Sequence, residues 1–132
     1  MKKTISIVLI IASTLLLVAC SLIQESDPIS VLQENGYGVD QYNEAACESL
    51  ETEIKVKYRD ISGDVIAYAI ALGENGELVY IVEFESRLDA GRYKDALLEE
   101  TLADGETPRY EAVERLGKKV VYGSEDAVNL VK

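Results

Sequence analysis

Two apolar runs, Val65 to Leu72 and Leu78 to Glu85, face each other across Asn75-Gly76, and nothing else in the chain constrains its fold as strongly. Asn-Gly between period-two segments is the strongest short-range hairpin signal, because both residues tolerate the positive φ of a tight turn. The first run places Ala67, Ala69 and Ala71 on one side and Ile66, Tyr68, Ile70 and Leu72 on the other. It reads as an interior strand covered on both faces, with room for a helix to approach over the alanines. In the second run Leu78, Tyr80, Val82 and Phe84 alternate with Val79, Ile81, Glu83 and Glu85. An antiparallel sheet is therefore the expected nucleus.

The flanking sequence supplies helices. Asp27-Pro28 gives a start signal, a capping carboxylate before proline at the first helical position, and Asn35-Gly36 gives a stop. Ile29, Val31 and Leu32 lie between them, and Gly36 suits a left-handed C-terminal cap. Asn43 can cap a second short helix to about Leu50, burying Ala46, Cys47 and Leu50. Ile54, Val56 and Tyr58 then alternate with Lys55, Lys57 and Arg59, the pattern of a half-exposed strand suited to a sheet edge. Asp60 to Gly63 forms a turn.

Beyond the hairpin, Ser86 caps a helix with Asp89 in capping-box position and a stripe of Ala90, Tyr93, Ala96 and Leu97. Gly91 inside that helix either permits close contact with the sheet or is simply tolerated, at up to about 1 kcal/mol. Asp104-Gly105 and Pro108 mark a loop. A second hairpin runs from Arg109 to Tyr122 and turns at Gly117; Ser124 opens a last helix that buries Ala127, Val128, Leu130 and Val131. Glu125 and Asp126 lie in its first turn, where the helix dipole favours them. The order is α-α-β-β-β-α-β-β-α, an α+β fold in which helices lie on one face of an antiparallel sheet of about five strands. The stretches 84–90 and 122–127 both run from an aromatic strand end through serine to Asp-Ala, an echo that two hairpin-plus-helix units would explain.

The N-terminus is of another kind. Lys2 and Lys3 precede an uncharged, largely apolar stretch of 15 residues, Ile5 to Ala19, short of the roughly 20 needed to span a bilayer as a helix. It closes with Leu17-Val18-Ala19-Cys20, which resembles the lipobox of bacterial lipoprotein precursors. The resemblance covers residues 1–21, and Val18 departs from the small residue more usual at its position. It implies that residues 1–19 are a signal peptide and that the Cys20 thiol carries a diacylglycerol. Residues 20–26 would then be a tether and 27–132 one α+β domain held on the cell membrane or outer membrane, outside the cytoplasm. Two acyl chains give stable anchoring, at about 0.8 kcal/mol per buried methylene.

Removal of residues 1–19 would leave 113 residues, enough for one modest core, with 11 basic and 24 acidic side chains and a charge of −13. Such a domain repels nucleic acid and anionic headgroups, and a cationic partner or plain solubility is the natural reading of its charge. Cys47 is then the lone thiol, so no internal disulfide is available. Among Ala45, Ala46 and Leu50 it reads as a small buried hydrophobe, since Glu44, Glu48 and Glu51 are the wrong sign to activate a thiol.

The chain has no histidine, which removes the commonest general base, metal ligand and pH switch together. No Gly-rich phosphate loop follows a strand. Asp60, Ser62 and Asp64 have the opening spacing of a calcium loop, but the glycine is misplaced and Ala71 stands where the bidentate glutamate belongs. No metal and no cofactor is expected. Tyr58, Tyr68, Tyr80, Tyr93, Tyr110 and Tyr122 fall on expected strands or helices and read as packing residues. The candidates for partner contact are Tyr37 and Tyr42, in the connection between the first two helices, and the acidic group Glu99, Glu100, Asp104 and Glu106. The expected role is a non-enzymatic, membrane-anchored domain that binds a protein or small ligand. Alternatives are an acidic inhibitor or immunity-type lipoprotein that masks a basic partner, and a small hydrolase working with carboxylates alone.

Overall fold

The computed structural model describes residues 27–103 and 110–132. Nine elements alternate along it: α1 (Pro28–Glu34), β1 (Gly38–Gln41), α2 (Glu44–Lys57), β2 (Val65–Leu72), β3 (Leu78–Phe84), α3 (Arg87–Ala103), β4 (Ala112–Leu116), β5 (Lys119–Gly123) and α4 (Glu125–Val131). The strands form one antiparallel sheet in the order β1-β2-β3-β5-β4, giving an α+β fold. The Asn75-Gly76 hairpin forms as expected, with Gly76 at φ 84° and Ala71 opposite Val79. The second hairpin turns at Gly117, φ 64°, the first of two turn residues, where a right-twisting ribbon needs positive φ.

Three features differ from the sequence expectation. The segment Ile54 to Tyr58 is not an edge strand: α2 runs on from Glu44 through Lys57. Cys47, Leu50, Ile54 and Tyr58 recur at spacings of three and four and face the core, while Val56 stands 77% exposed. A helical stripe thus overrides an alternation of three residues, and Glu51 secures it by bonding Lys55 one turn on and accepting the Val65 N–H at 2.8 Å. The edge position goes instead to β1, Gly38–Gln41, which pairs Val39 with Ala71.

Secondly, helices cover both faces, not one. The first core gathers Cys47 and Ile54 of α2 and Ala90, Tyr93 and Leu97 of α3 over Val82, Phe84, Val113, Val120 and Tyr122. The second gathers Leu32 of α1 and Ala127, Val128 and Val131 of α4 over Ala69, Ala71, Val79, Ile81 and Val121. The alanines of β2 do face a core shared with α1, but the helix packed closely on β2 is α2, on its other face; β3 and β5 bury alternate residues in each core.

Thirdly, the echo between 84–90 and 122–127 does not mark two like units, since α3 and α4 pack on opposite faces. Gly123, at φ 145°, shows why the chain departs there: a Cβ would strike the Leu78 carbonyl of the neighbouring strand.

Helix starts are where the sequence placed them, but the capping groups vary. Asn43 accepts the Ala46 N–H at 3.0 Å, and the Ser86 hydroxyl accepts the Asp89 N–H at 3.2 Å and donates to its carboxylate at 3.1 Å. Asp27 and Ser124 occupy N-cap positions without making the side-chain bond. Glu111 takes over at α4, its carboxylate accepting the Glu125 N–H at 3.0 Å.

Candidate ligand-binding site

Six of the eight tyrosines converge on one cavity of about 220 Å³ on the face covered by α2 and α3. β2 contributes Tyr68, β3 Tyr80 and β5 Tyr122; Tyr110 precedes β4, Tyr93 comes from α3, and Tyr58 ends α2. The strand register explains the convergence. Tyr80 lies directly opposite Tyr122, and Tyr68 is opposite Val82, two residues along the same face. Tyr80 and Tyr122 stack at 5.2 Å between ring centroids, and Tyr110 stands edge-on to both at 6.1 and 4.9 Å.

The floor of the cavity is formed by the two buried tyrosines, Tyr93 and Tyr122. The Tyr93 and Tyr122 hydroxyls are hydrogen-bonded to each other at 2.8 Å, their rings edge to face at 5.7 Å. Burial, the largest influence on each, pushes both phenols well above their ordinary range, so they are neutral donors and acceptors at any physiological pH. Packing thus accounts for these two, as expected from sequence. Tyr58, Tyr68, Tyr80 and Tyr110 are only half-buried and form the walls.

Three charged side chains also line it: Glu53 and Lys57 of α2, and Glu100 of α3. Lys57 Nζ pairs with Glu100 Oε1 and lies 5.4 Å from the centroid of the Tyr58 ring. The hydrogen bond to Glu100 is the main reason its ammonium is held above the ordinary lysine range, against the opposing effect of burial. The Tyr58 phenol is raised as well, first by burial and then by Glu100.

The residues singled out from sequence take different places. Tyr42, 42% exposed, stacks on Tyr68 at 4.8 Å and so abuts the cavity wall. Tyr37 is half-buried in the second core, on the opposite side of the sheet, with its ring against Gly73. Glu99 is exposed, whereas its neighbour Glu100 reaches the cavity. Cys20, Asp104 and Glu106 lie outside the described residues. Cys47 is buried in the first core, and burial followed by Glu44 and Glu51 raises its thiol pKa, the condition of an inert cysteine.

A larger groove, about 550 Å³, opens beside α1 and α4 and is lined by Asp27, Glu83, Arg87, Lys118, Lys119 and Lys132 among others. Size alone does not make it the better site. Two of its lysines already have partners: Lys119 bonds Asp27 at 3.0 Å, and Lys132 pairs with Glu114 at 3.7 Å. Burial acts to raise the Asp27 pKa, but the bond and charge of Lys119 outweigh it and hold the carboxyl low. The tyrosine cavity, by contrast, gathers aromatic side chains from sheet and helices around the paired Tyr93 and Tyr122 hydroxyls. No protein-family model, curated protein or solved structure matches the chain. No helix among the described residues is long and apolar enough to cross a membrane.

Proposed function

We propose that the protein is a lipid-anchored, extracytoplasmic binding domain that takes a small ligand into the tyrosine-lined cavity. The convergence of six tyrosines on a single opening, four from elements and two from the residues just after α2 and just before β4, carries the binding part of this reading. A non-enzymatic role is supported by the chemistry available. The chain lacks histidine, and among the described residues the charged groups of the cavity are Glu53 and the Lys57–Glu100 pair.

The anchoring part rests on Leu17-Val18-Ala19-Cys20 and on what lies where the described chain begins. The seven residues from Cys20 to Ser26 reach at most about 25 Å when extended, so the tether keeps Asp27 close to the bilayer. Asp27 bonds Lys119 and lines the groove together with Glu83, Arg87, Lys118 and Lys132. Charges separated by more than about 8 Å are largely screened at physiological salt, so this local mixture of charges, rather than the net charge, would govern contact with the headgroups.

Two measurements on protein extracted from envelopes test the reading. The intact mass should show an N-terminal Cys20 bearing diacylglycerol, and Cys20→Ser should release the chain into the soluble fraction. A small-molecule screen followed by intrinsic fluorescence should give ligands that perturb tyrosine emission, which no tryptophan obscures. An unprocessed, unacylated N-terminus overturns the anchor; a screen without a saturable response overturns the cavity.

A further inference from the structure

Resting on the cavity reading above, we infer that the tyrosine-lined site recognises an organic ammonium ion, and that Lys57 occupies the cation seat until such a ligand displaces it. The argument begins with the walls. Tyrosine ring faces carry the negative lobe of the aromatic quadrupole, which attracts a cation lying within about 6 Å of the centroid. The Lys57 ammonium, 5.4 Å from the Tyr58 centroid and paired with Glu100, already has both attractions that such a cation needs. The chain's own alkylammonium thus fills the role that a ligand would take.

Lys57 is suited to be displaced. It is the last residue of α2, its side chain is 50% exposed, and its flexible four-carbon stem allows the head to turn into water. An ion pair this exposed is weakly held. Lys57 is also the one cation among the described lining residues, and its departure leaves Glu53 and Glu100 beside the aromatic walls. An anionic ligand would meet those two carboxylates and the acidic field of the whole chain, formally −11, whereas a cation is drawn in by both. At about 30 Å³ per water, the 220 Å³ cavity holds roughly seven waters, the space of a ligand with a similar number of heavy atoms.

Choline and its uncharged carbon isostere 3,3-dimethylbutan-1-ol are the probes that separate charge from shape. The full chain in detergent is titrated with each while tyrosine fluorescence is followed. Choline should give a saturable change at least tenfold tighter than the isostere. Lys57→Met, which keeps the stem but vacates the seat, should tighten choline severalfold, and Glu100→Gln should weaken it by about tenfold. Lys57→Gln serves the same purpose should the methionine variant fold poorly. Equal responses to choline and the isostere, with Lys57→Met unchanged, overturn the ammonium assignment and leave the cavity as a site for neutral ligands. Silence to both probes, with a neutral compound shifting the same tyrosines, overturns the assignment alone. Silence to every compound removes the cavity reading with it.

Discussion

The paired phenols of Tyr93 and Tyr122 set the character of the cavity at the scale of single residues. The two hydroxyls are hydrogen-bonded to each other at 2.8 Å in a buried place. Tyr122→Phe leaves the Tyr93 hydroxyl without that bond in a buried place and should cost about 1–2 kcal/mol in urea unfolding. Tyr93→Phe should cost a similar amount. The double variant should lose clearly less than the sum, since no orphaned hydroxyl remains. Strict additivity in that cycle would show that the two groups do not depend on each other. That Tyr68 and Tyr80 pack on strands was legible in the sequence, but their common face was not: they share it because Leu72 pairs with Leu78 across a five-residue connection, whereas a two-residue Asn75-Gly76 turn would have placed them on opposite faces. That Tyr122 joins them was not legible: it requires β5, rather than β4, to pair with β3, a long-range choice that no local pattern states.

Among the elements, α2 shows how two periodicities compete in one stretch. Ile54, Val56 and Tyr58 are compatible with a strand, yet Cys47, Leu50, Ile54 and Tyr58 together form a helical stripe over 12 residues, and the longer register prevails. The two readings predict opposite outcomes at Val56. In the helix it faces solvent, so Val56→Lys should change stability by no more than about 0.5 kcal/mol, while Ile54→Ala should cost about 2–4 kcal/mol. A large loss from Val56→Lys in a thermal or urea melt would restore the strand. Both hairpins and the starts of the helices were legible because turn glycines and capping residues act locally. β1 was not, since Gly38-Val39-Asp40-Gln41 has one half-buried side chain and owes its conformation to the exposed backbone edge of β2. Hydrophobic stripes on α1 and α4 indicated buried faces without indicating which face of the sheet they cover, so the layer on the second side emerged only from packing.

In the molecule as a whole, three layers divide two roles between the faces of one sheet: the second core closes one side, while the first holds the tyrosines around an opening. That division has a pH signature. Burial raises the Tyr93 and Tyr122 pKa values above the ordinary 10.0, so in the folded chain both stay protonated where the unfolded chain has begun to lose those protons. Below that pH both states hold them and the contribution to stability is complete. Above it the unfolded state binds fewer protons, and stability falls as pH rises, by up to about 1.4 kcal/mol per pH unit for each group. Thermal melts between about pH 9 and 11 should show this decline, and Phe at either position should flatten it. An unchanged slope in both variants would place the alkaline sensitivity elsewhere.

The central claim, that the tyrosine cavity is the ligand site of this domain, is tested most directly by nuclear magnetic resonance of ring-labelled tyrosines. The full chain in detergent would be titrated with the low-molecular-mass fraction of a cell-envelope extract. The account predicts shifts concentrated in Tyr58, Tyr68, Tyr80 and Tyr110, relayed to Tyr93 and Tyr122, with Tyr37 in the opposite core unmoved. Shifts at Tyr37 with the cavity tyrosines unmoved, or an unchanged spectrum at saturating extract, would contradict it.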